Sequence, residues 1–423
     1  MADSKIVCTK NKEFLMTATN KTDLWYVSPW DYYPEVTKDF NFAPKIKIHD
    51  VTLREGEQQA GIVYNKHDKL AIAKQLAKLG VDRIEAGMPA VSQEDEDAVK
   101  AIVDANLGPE IFSFCRCMVG DIEKSHKAGC KGVVLEIACN PIFVEKAYGK
   151  TMEWAKKAAI EATIAAKELG LYTAFFTIDG TRTEINSLLD TVDEIQTNGH
   201  MDSFVCADTF GCVHPQAVVP IIKKIKARFK QPVEAHMHMH FGLGAANTLA
   251  AFSAGASVGH VSVSGIGEGS GNTPLEDVVM SLKCMYGQEL KMKTEYLVET
   301  SRLICKMTNN HQLPSNRPIV GEKIFAVESG IGVMFITNAR KNGFENLLYS
   351  WNPKLAGQDG LYFVMGKKSG TATVENWLND IGKTATKDQM NEILAMVKEK
   401  AIAEKRLISM DEFKAYVKKV LGK

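Results

Sequence analysis

From Lys45 to about residue 286, short apolar runs alternate with longer stretches whose apolar residues recur every three or four positions. The runs lie at 45–53, 83–88, 110–117, 132–139, 172–179, 203–209, 233–239 and 260–266, and they predict eight strands. Lys66–Leu79, Glu153–Leu169, Pro215–Phe229 and Pro274–Tyr286 are among the stretches with helical spacing. Strand–helix alternation implies parallel pairing, and eight such repeats close a (β/α)8 barrel, the TIM barrel of the α/β class. A doubly wound open sheet is the alternative. It fits less well, because no Gly-x-Gly-x-x-Gly follows the first strand.

Three segments follow from this pattern: a lead-in at 1–44, a barrel domain at 45–290 and a small, mainly helical C-terminal region at 291–423. The lead-in is dense in aromatic residues between Leu24 and Tyr33, too apolar to hang free in water. It is expected to dock on its own domain or on a second subunit. Beyond the barrel, residues 287–319 look helical, Pro318 opens an irregular region to about 372, and 386–422 read as two amphipathic helices.

A barrel places its chemistry at the carboxyl ends of its strands. Polar and charged residues do cluster there: Arg54 and Glu55 after strand one, Glu85 on strand two, Arg116 on strand three, Thr209 after strand six, and Glu268 and Asn272 after strand eight. On strand seven, His236, His238 and His240 stand at alternate positions, so an extended chain points all three the same way. Imidazoles on one strand face can reach one divalent ion, or can be satisfied by hydrogen bonds inside a buried strand. Glu55 with His236 and His238 would give one carboxylate and two imidazoles, leaving positions open for substrate and water. Zn, Mn, Mg and Co all suit that set. Arg54 beside it would face any oxyanion that forms there, although Arg54 and Glu55 alone also fit a structural ion pair.

Composition excludes several classes. The 51 Lys and Arg balance the 51 Asp and Glu, so no global charge points to nucleic acid or an anionic membrane. Nine scattered cysteines without a Cys-x-x-Cys pair fit a reducing compartment. The N-terminus lacks a charged-then-apolar signal pattern and no run has the length of a membrane span, so a cytoplasmic protein is expected.

Thr52-Leu53-Arg54-Glu55-Gly56-Glu57-Gln58, then His236-Met237-His238 with Gly242, Leu243 and Asn247, then Gly265-Ile266-Gly267-Glu268 through Asn272, together resemble the DRE-TIM metallolyases. That family includes isopropylmalate, homocitrate, citramalate and Re-citrate synthases, and also hydroxymethylglutaryl-CoA lyase and hydroxy-oxovalerate aldolase. The resemblance covers roughly residues 45–380 and implies condensation of acetyl-CoA with a 2-oxo acid, followed by thioester hydrolysis. It implies Glu55, His236, His238 and Asn272 as metal ligands, Arg54 as the catalytic arginine and Thr209 as the holder of the acceptor carboxylate. Glu85 and Glu268 match acidic pocket residues, and a homodimer is expected. The Glu55 form and the short tail favour a 2-oxo diacid, as in homocitrate or Re-citrate synthases. Isopropylmalate or citramalate synthesis, or carbon–carbon cleavage, is the alternative; a non-catalytic metabolite-binding barrel is the third.

The sequence departs from the family at several points. Met239 and His240 stand where Asp or Asn usually follows the second histidine, and Ser264 and Gly269 replace an Asn and an Arg. The Ser-Gly-Ile-His motif reads Ser329-Gly330-Ile331-Gly332, so the histidine used by many synthases is missing. His240 either takes over that acid–base work or supports the ligands from outside. The stretch Cys139-Asn140-Pro141 lacks the usual Ser-Asp.

Overall fold

All eight apolar runs form strands, and the strands pair in chain order into a closed parallel barrel. They are β1 (Lys47–Asp50), β2 (Arg83–Glu85), β3 (Glu110–Arg116), β4 (Gly132–Ala138), β5 (Tyr172–Ile178), β6 (Ser203–Asp208), β7 (Val233–Met237) and β8 (Val258–Val261). This is a computed structural model, describing residues 20–308 and 313–422. Residues 1–19 of the lead-in and 309–312 of the stretch expected to be helical lie outside the described residues.

Each strand feeds a main helix: α1 (Lys66–Leu79), α2 (Gln93–Asp104), α3 (Val119–Lys127), α4 (Met152–Glu168), α5 (Ile185–Asn198), α6 (Pro215–Arg228), α7 (Gly244–Ser253) and α8 (Leu275–Cys284). Local chemistry sets these limits. Asn65 and Asp68 form a reciprocal capping box at the start of α1, and Gly80 ends that helix in the left-handed region, where no side chain opposes the turn. Pro215 opens α6 with the ring already at helical φ.

The last strand corrects the sequence reading. It spans Val258–Val261 and not 260–266, because Val261 is the last residue paired to β1, opposite Asp50. The Ser262 hydroxyl then donates to the Ile266 carbonyl at 2.6 Å, and Ser264 takes φ 60°, turning the chain into a loop across the barrel mouth.

Inside the barrel the two walls differ. Phe112, Phe114, Val134, Ala174, Phe176, Val205 and Ala207 make an apolar cluster from β3 to β6. Burying each Phe or Val there contributes about 1.5–3 kcal/mol. The opposite wall is ionic: His49, Arg83, Glu85, Glu234, His236 and His260 are all almost fully buried. Buried charges are tolerated only when paired, and Arg83 is paired with Glu234 at 2.8 Å.

The chain divides into two units, one containing Ser28–Leu313 and the other Asn20–Val27 with Pro314–Lys423. Helix Leu297–Met307 stays with the barrel unit, since Gln75 of α1 donates to Thr300 at 3.0 Å and Lys78 pairs with Glu299 at 2.8 Å. Residues 287–293 are not helical, against expectation, and a 3-10 turn at Thr294–Tyr296 precedes the helix. The aromatic lead-in does dock on its own chain. In the barrel unit Tyr32 is buried and donates to the Cys284 carbonyl at 2.7 Å. In the second unit Tyr26 N–H donates to the Ser350 carbonyl at 2.9 Å.

The second unit contains helices Gly330–Lys341, Thr371–Asp380, Lys387–Glu404 and Met410–Leu421. The last three pack Val374, Trp377, Leu378, Ile393, Val397, Phe413 and Val417 into one core. The Gly330–Lys341 helix lies in the stretch expected to be irregular.

Candidate active site

The loop after β1 is stapled to β8 before it reaches the mouth. Asp50 accepts from the Thr52 N–H and hydroxyl, both at 3.0 Å, and the Thr52 oxygen accepts from Val263 N–H at 2.9 Å. This fixes Arg54. Its Nε donates to Glu85, and its Nη1 donates to Glu55 and, at 2.9 Å, to Gln58. The guanidinium carbon lies 4.1 Å from the centre of the Phe114 ring. The remaining nitrogen, Nη2, is buried and has no hydrogen-bond partner.

Strand alternation brings His236 and His238 to the same face, and Glu55 meets them from the β1 loop. One donor atom from each of the three lies within 4.8 Å of the other two. His236 Nε2 faces His238 Nε2 at 3.2 Å, and Glu55 Oε1 is 3.7 Å from His238 Nε2. Two ring nitrogens bound to one ion at about 2.1 Å stand about 3.0–3.4 Å apart at octahedral or tetrahedral angles, so the pair has ligand spacing. Both imidazoles are held neutral, as ligation requires. Burial lowers His236 well below its usual pKa; burial and then Arg54 lower His238 to about 4. Asn272 pairs with His238 through a backbone β-bridge, and its side-chain Oδ1 is buried without a partner. A buried donor set of one carboxylate and two neutral imidazoles fits a divalent cation.

The other expected residues are placed unequally. Glu85 is fully buried between Arg54 and His49; burial alone would raise its pKa, but Arg54 and the His49 hydrogen bond hold it near 2. The Thr209 oxygen accepts from Asp179 N–H at 2.9 Å, leaving its own hydrogen to donate. Glu268 sits exposed on the β8 loop, within electrostatic reach of His238. The strand ends at Met237, so His240 lies in a turn, exposed, with its ring 6.1 Å from that of His238. Arg116 is not brought into this cluster. Asp121 of α3 holds its guanidinium bidentately at 2.8 and 2.9 Å, and more than half of its side chain is exposed. Two glycines are needed for these loops to close: a Cβ on Gly211 would lie 2.8 Å from the His238 carbonyl oxygen, and one on Gly271 2.0 Å from that of Gly265.

A family profile described as HMGL-like matches residues 45–304, which is the barrel and its site. The chain belongs to the HMGL-like family. Relatives extend past the barrel. The chain is 36% identical over 390 residues to a 2-isopropylmalate synthase of Methanocaldococcus jannaschii, covering 91% of this chain and 74% of that one. It is 35% identical over 385 residues to homocitrate synthase AksA of the same organism, covering 89% and 91%. Among solved structures, a Bacillus subtilis HMG-CoA lyase shares the fold, with TM-score 0.59 and 20% identity over 66% of this chain and 98% of that one.

In this HMGL-like barrel the sequence reading missed several site groups. Glu136 of β4 faces Arg54, and burial, opposed by Arg54, raises its pKa to about 8. Its signal was a single carboxylate inside the apolar run Val133–Ala138. Asp208 and Asp179, already legible in the sequence as polar strand ends, build the loops after β6 and β5. Asp208 accepts from Thr181 Oγ1 at 2.6 Å, and Asp179 accepts from Asn140 Nδ2 at 2.7 Å and from Arg182 Nε at 2.5 Å. His49, Glu234 and His260 were also missed, because nothing in a single strand tells which polar residues of other strands will meet it.

Proposed function

We propose that this protein condenses acetyl-CoA with a 2-oxo acid and hydrolyses the thioester of the adduct. The observation that carries the reading is the unpartnered, buried Nη2 of Arg54 beside Glu55, His236 and His238. Glu55, His236 and His238, with Asn272, would hold a divalent ion, which would supply Lewis-acid polarisation of an acceptor ketone. Arg54, fixed at Nε and Nη1, offers the free N–H to the negative charge that develops on that ketone oxygen. Glu85 keeps the guanidinium in place. The Thr209 hydroxyl donates to the acceptor carboxylate. His240, exposed at the mouth beside His238, takes the proton from the acetyl methyl group, and the resulting carbanion attacks the ketone carbon. Water then cleaves the thioester, giving a carboxylate and free coenzyme A thiol.

The acceptor is read as a 2-oxo diacid. Relatives named for isopropylmalate and for homocitrate lie at almost equal identity, so they do not choose between acceptors. The Glu55 form and the short tail favour the diacid, and Glu136, which burial, opposed by Arg54, pushes up to about 8, repels a second carboxylate less than an ordinary carboxylate would. Arg116 has no role in this reading. The test is thiol release from acetyl-CoA across glyoxylate, pyruvate, oxaloacetate, 2-oxoisovalerate and 2-oxoglutarate, with mass identification of the product. Release with none of them overturns the proposal; preference for 2-oxoisovalerate or pyruvate overturns the diacid.

The protein is further read as cytoplasmic and homodimeric. The eight described cysteines are all unpaired, and among the described residues no helix is long and apolar enough to cross a membrane. Ile331, Met334 and Phe335 share an exposed face of helix Gly330–Lys341, which supports association. Sedimentation as a fully active monomer would remove the dimer.

A further inference from the structure

The ionic wall beneath the metal site forms a directed chain ending on one of the two imidazoles. His236 Nδ1, the ring nitrogen away from the ligand cluster, lies 3.3 Å from His260 Nδ1. His260 Nε2 lies 2.8 Å from Glu234 Oε2, and the other oxygen of Glu234 accepts from Arg83 Nη1 at 2.8 Å. All four side chains are at most 3% exposed, so water does not compete for these bonds.

Ligation through His236 Nε2 would order the protons along this chain. A neutral imidazole carries one N–H, and a ligating nitrogen must keep its lone pair. If His236 Nε2 faces the ion, its hydrogen sits on Nδ1. That N–H needs an acceptor, and His260 Nδ1 can accept only when the His260 hydrogen sits on Nε2. The His260 N–H then donates to Glu234, whose other oxygen accepts from Arg83. Each link therefore selects the tautomer of the next. Two ring contacts hold the geometry: His49 stacks on His260 with centroids 4.3 Å apart and planes 12° apart, and Phe176 packs edge-on to His236 at 4.9 Å. The other imidazole is unlike this. His238 Nδ1 is buried and has no hydrogen-bond partner.

We propose that Glu234 and His260 are positioning residues for the metal, locking His236 in the Nδ1–H tautomer and making it the anchored ligand of the pair. The inference rests on the reading of Glu55, His236 and His238 as the metal site. Without the lock, His236 can place its hydrogen on Nε2 and present a donor to the cation. Outer partners of this kind are worth about 10–100-fold in metal affinity.

The test uses the full chain and the metal alone, Co(II) or Zn(II), titrated in competition with a chromogenic chelator. Wild type should take up one ion per chain, and failure to do so overturns the metal-site reading itself. His260→Leu should weaken the affinity about 10–100-fold, and His260→Gln, whose amide oxygen can accept from His236 Nδ1–H, should recover most of it. Leu and Gln variants that both bind as wild type overturn the inference and leave the metal site standing. Equal loss in both variants also overturns it, since that would mark a packing role. Long-range proton–nitrogen NMR of wild type decides independently, even where a variant does not fold. Hydrogen on Nδ1 of His236 and Nε2 of His260 supports the proposal, and hydrogen on His236 Nε2 overturns it.

Discussion

Replacing Arg54 by Lys keeps a positive charge in place while removing the fork that the site depends on. The guanidinium satisfies two buried carboxylates, Glu55 and Glu85, on different nitrogens, stacks on Phe114 and holds Nη2 free. An ammonium is one point of charge on a flexible stem and cannot do all of this. It can stay with one carboxylate, leaving the other without its buried cation, and it has no third nitrogen fixed toward the acceptor. Loss of a single preorganised donor to a developing oxyanion costs about 10²–10³ in turnover, or roughly 2.7–4 kcal/mol in the barrier. The assay is thiol release at saturating acetyl-CoA and acceptor, with bound metal measured on the same samples. Arg54→Lys should lower kcat by that factor and keep the ion, because no metal ligand has been removed. Turnover within about threefold of wild type would refute the oxyanion role. Loss of metal together with turnover would reassign Arg54 to holding Glu55.

Three further perturbations follow from the same geometry. Burial lowers His49 from 6.5 to about 4 against the pull of Glu85. Between those values the unfolded chain binds a proton that the folded chain does not, so stability falls as pH drops from 6.5 toward 4, by about 3 kcal/mol for this group. His49→Gln keeps a donor to Glu85 and should flatten that part of the stability–pH curve; an unchanged slope would contradict it. Arg116→Ala should change the acceptor KM less than about twofold, because Asp121 already occupies the guanidinium away from the cluster. A tenfold rise would return Arg116 to the substrate site. His240→Asn should retain bound metal and lose at least about tenfold in turnover. Unchanged turnover would send the proton to another group.

The pattern of apolar runs carried the barrel, because strand–helix alternation repeated eight times leaves few ways to close a sheet. It also carried His236 and His238, since period-two spacing alone sets them on one face. The end of β8 was not legible. Val261–Ile266 reads as apolar, but pairing to β1 stops at Val261 and Ser262 bonds back to Ile266. The same limit moved His240 off the strand and into a turn, where alternation no longer applies. The ionic wall was hidden for a different reason. Arg83, Glu234 and His260 lie on three strands whose meeting depends on barrel stagger, which no local pattern records. Helix Gly330–Lys341 was obscured by glycines at 330 and 332, residues that ordinarily lower helix propensity.

On the proposed reading, Glu55, His236 and His238 hold the ion on which turnover depends. Metal content by elemental analysis, measured beside turnover and far-UV circular dichroism, tests it most directly. Wild type should carry one divalent ion per chain, while His236→Ala, His238→Ala and Glu55→Gln should keep the fold, lose the ion and lose activity by more than the roughly 10–100-fold of an outer-shell change. A His238→Ala protein with full metal content and full turnover would contradict the account.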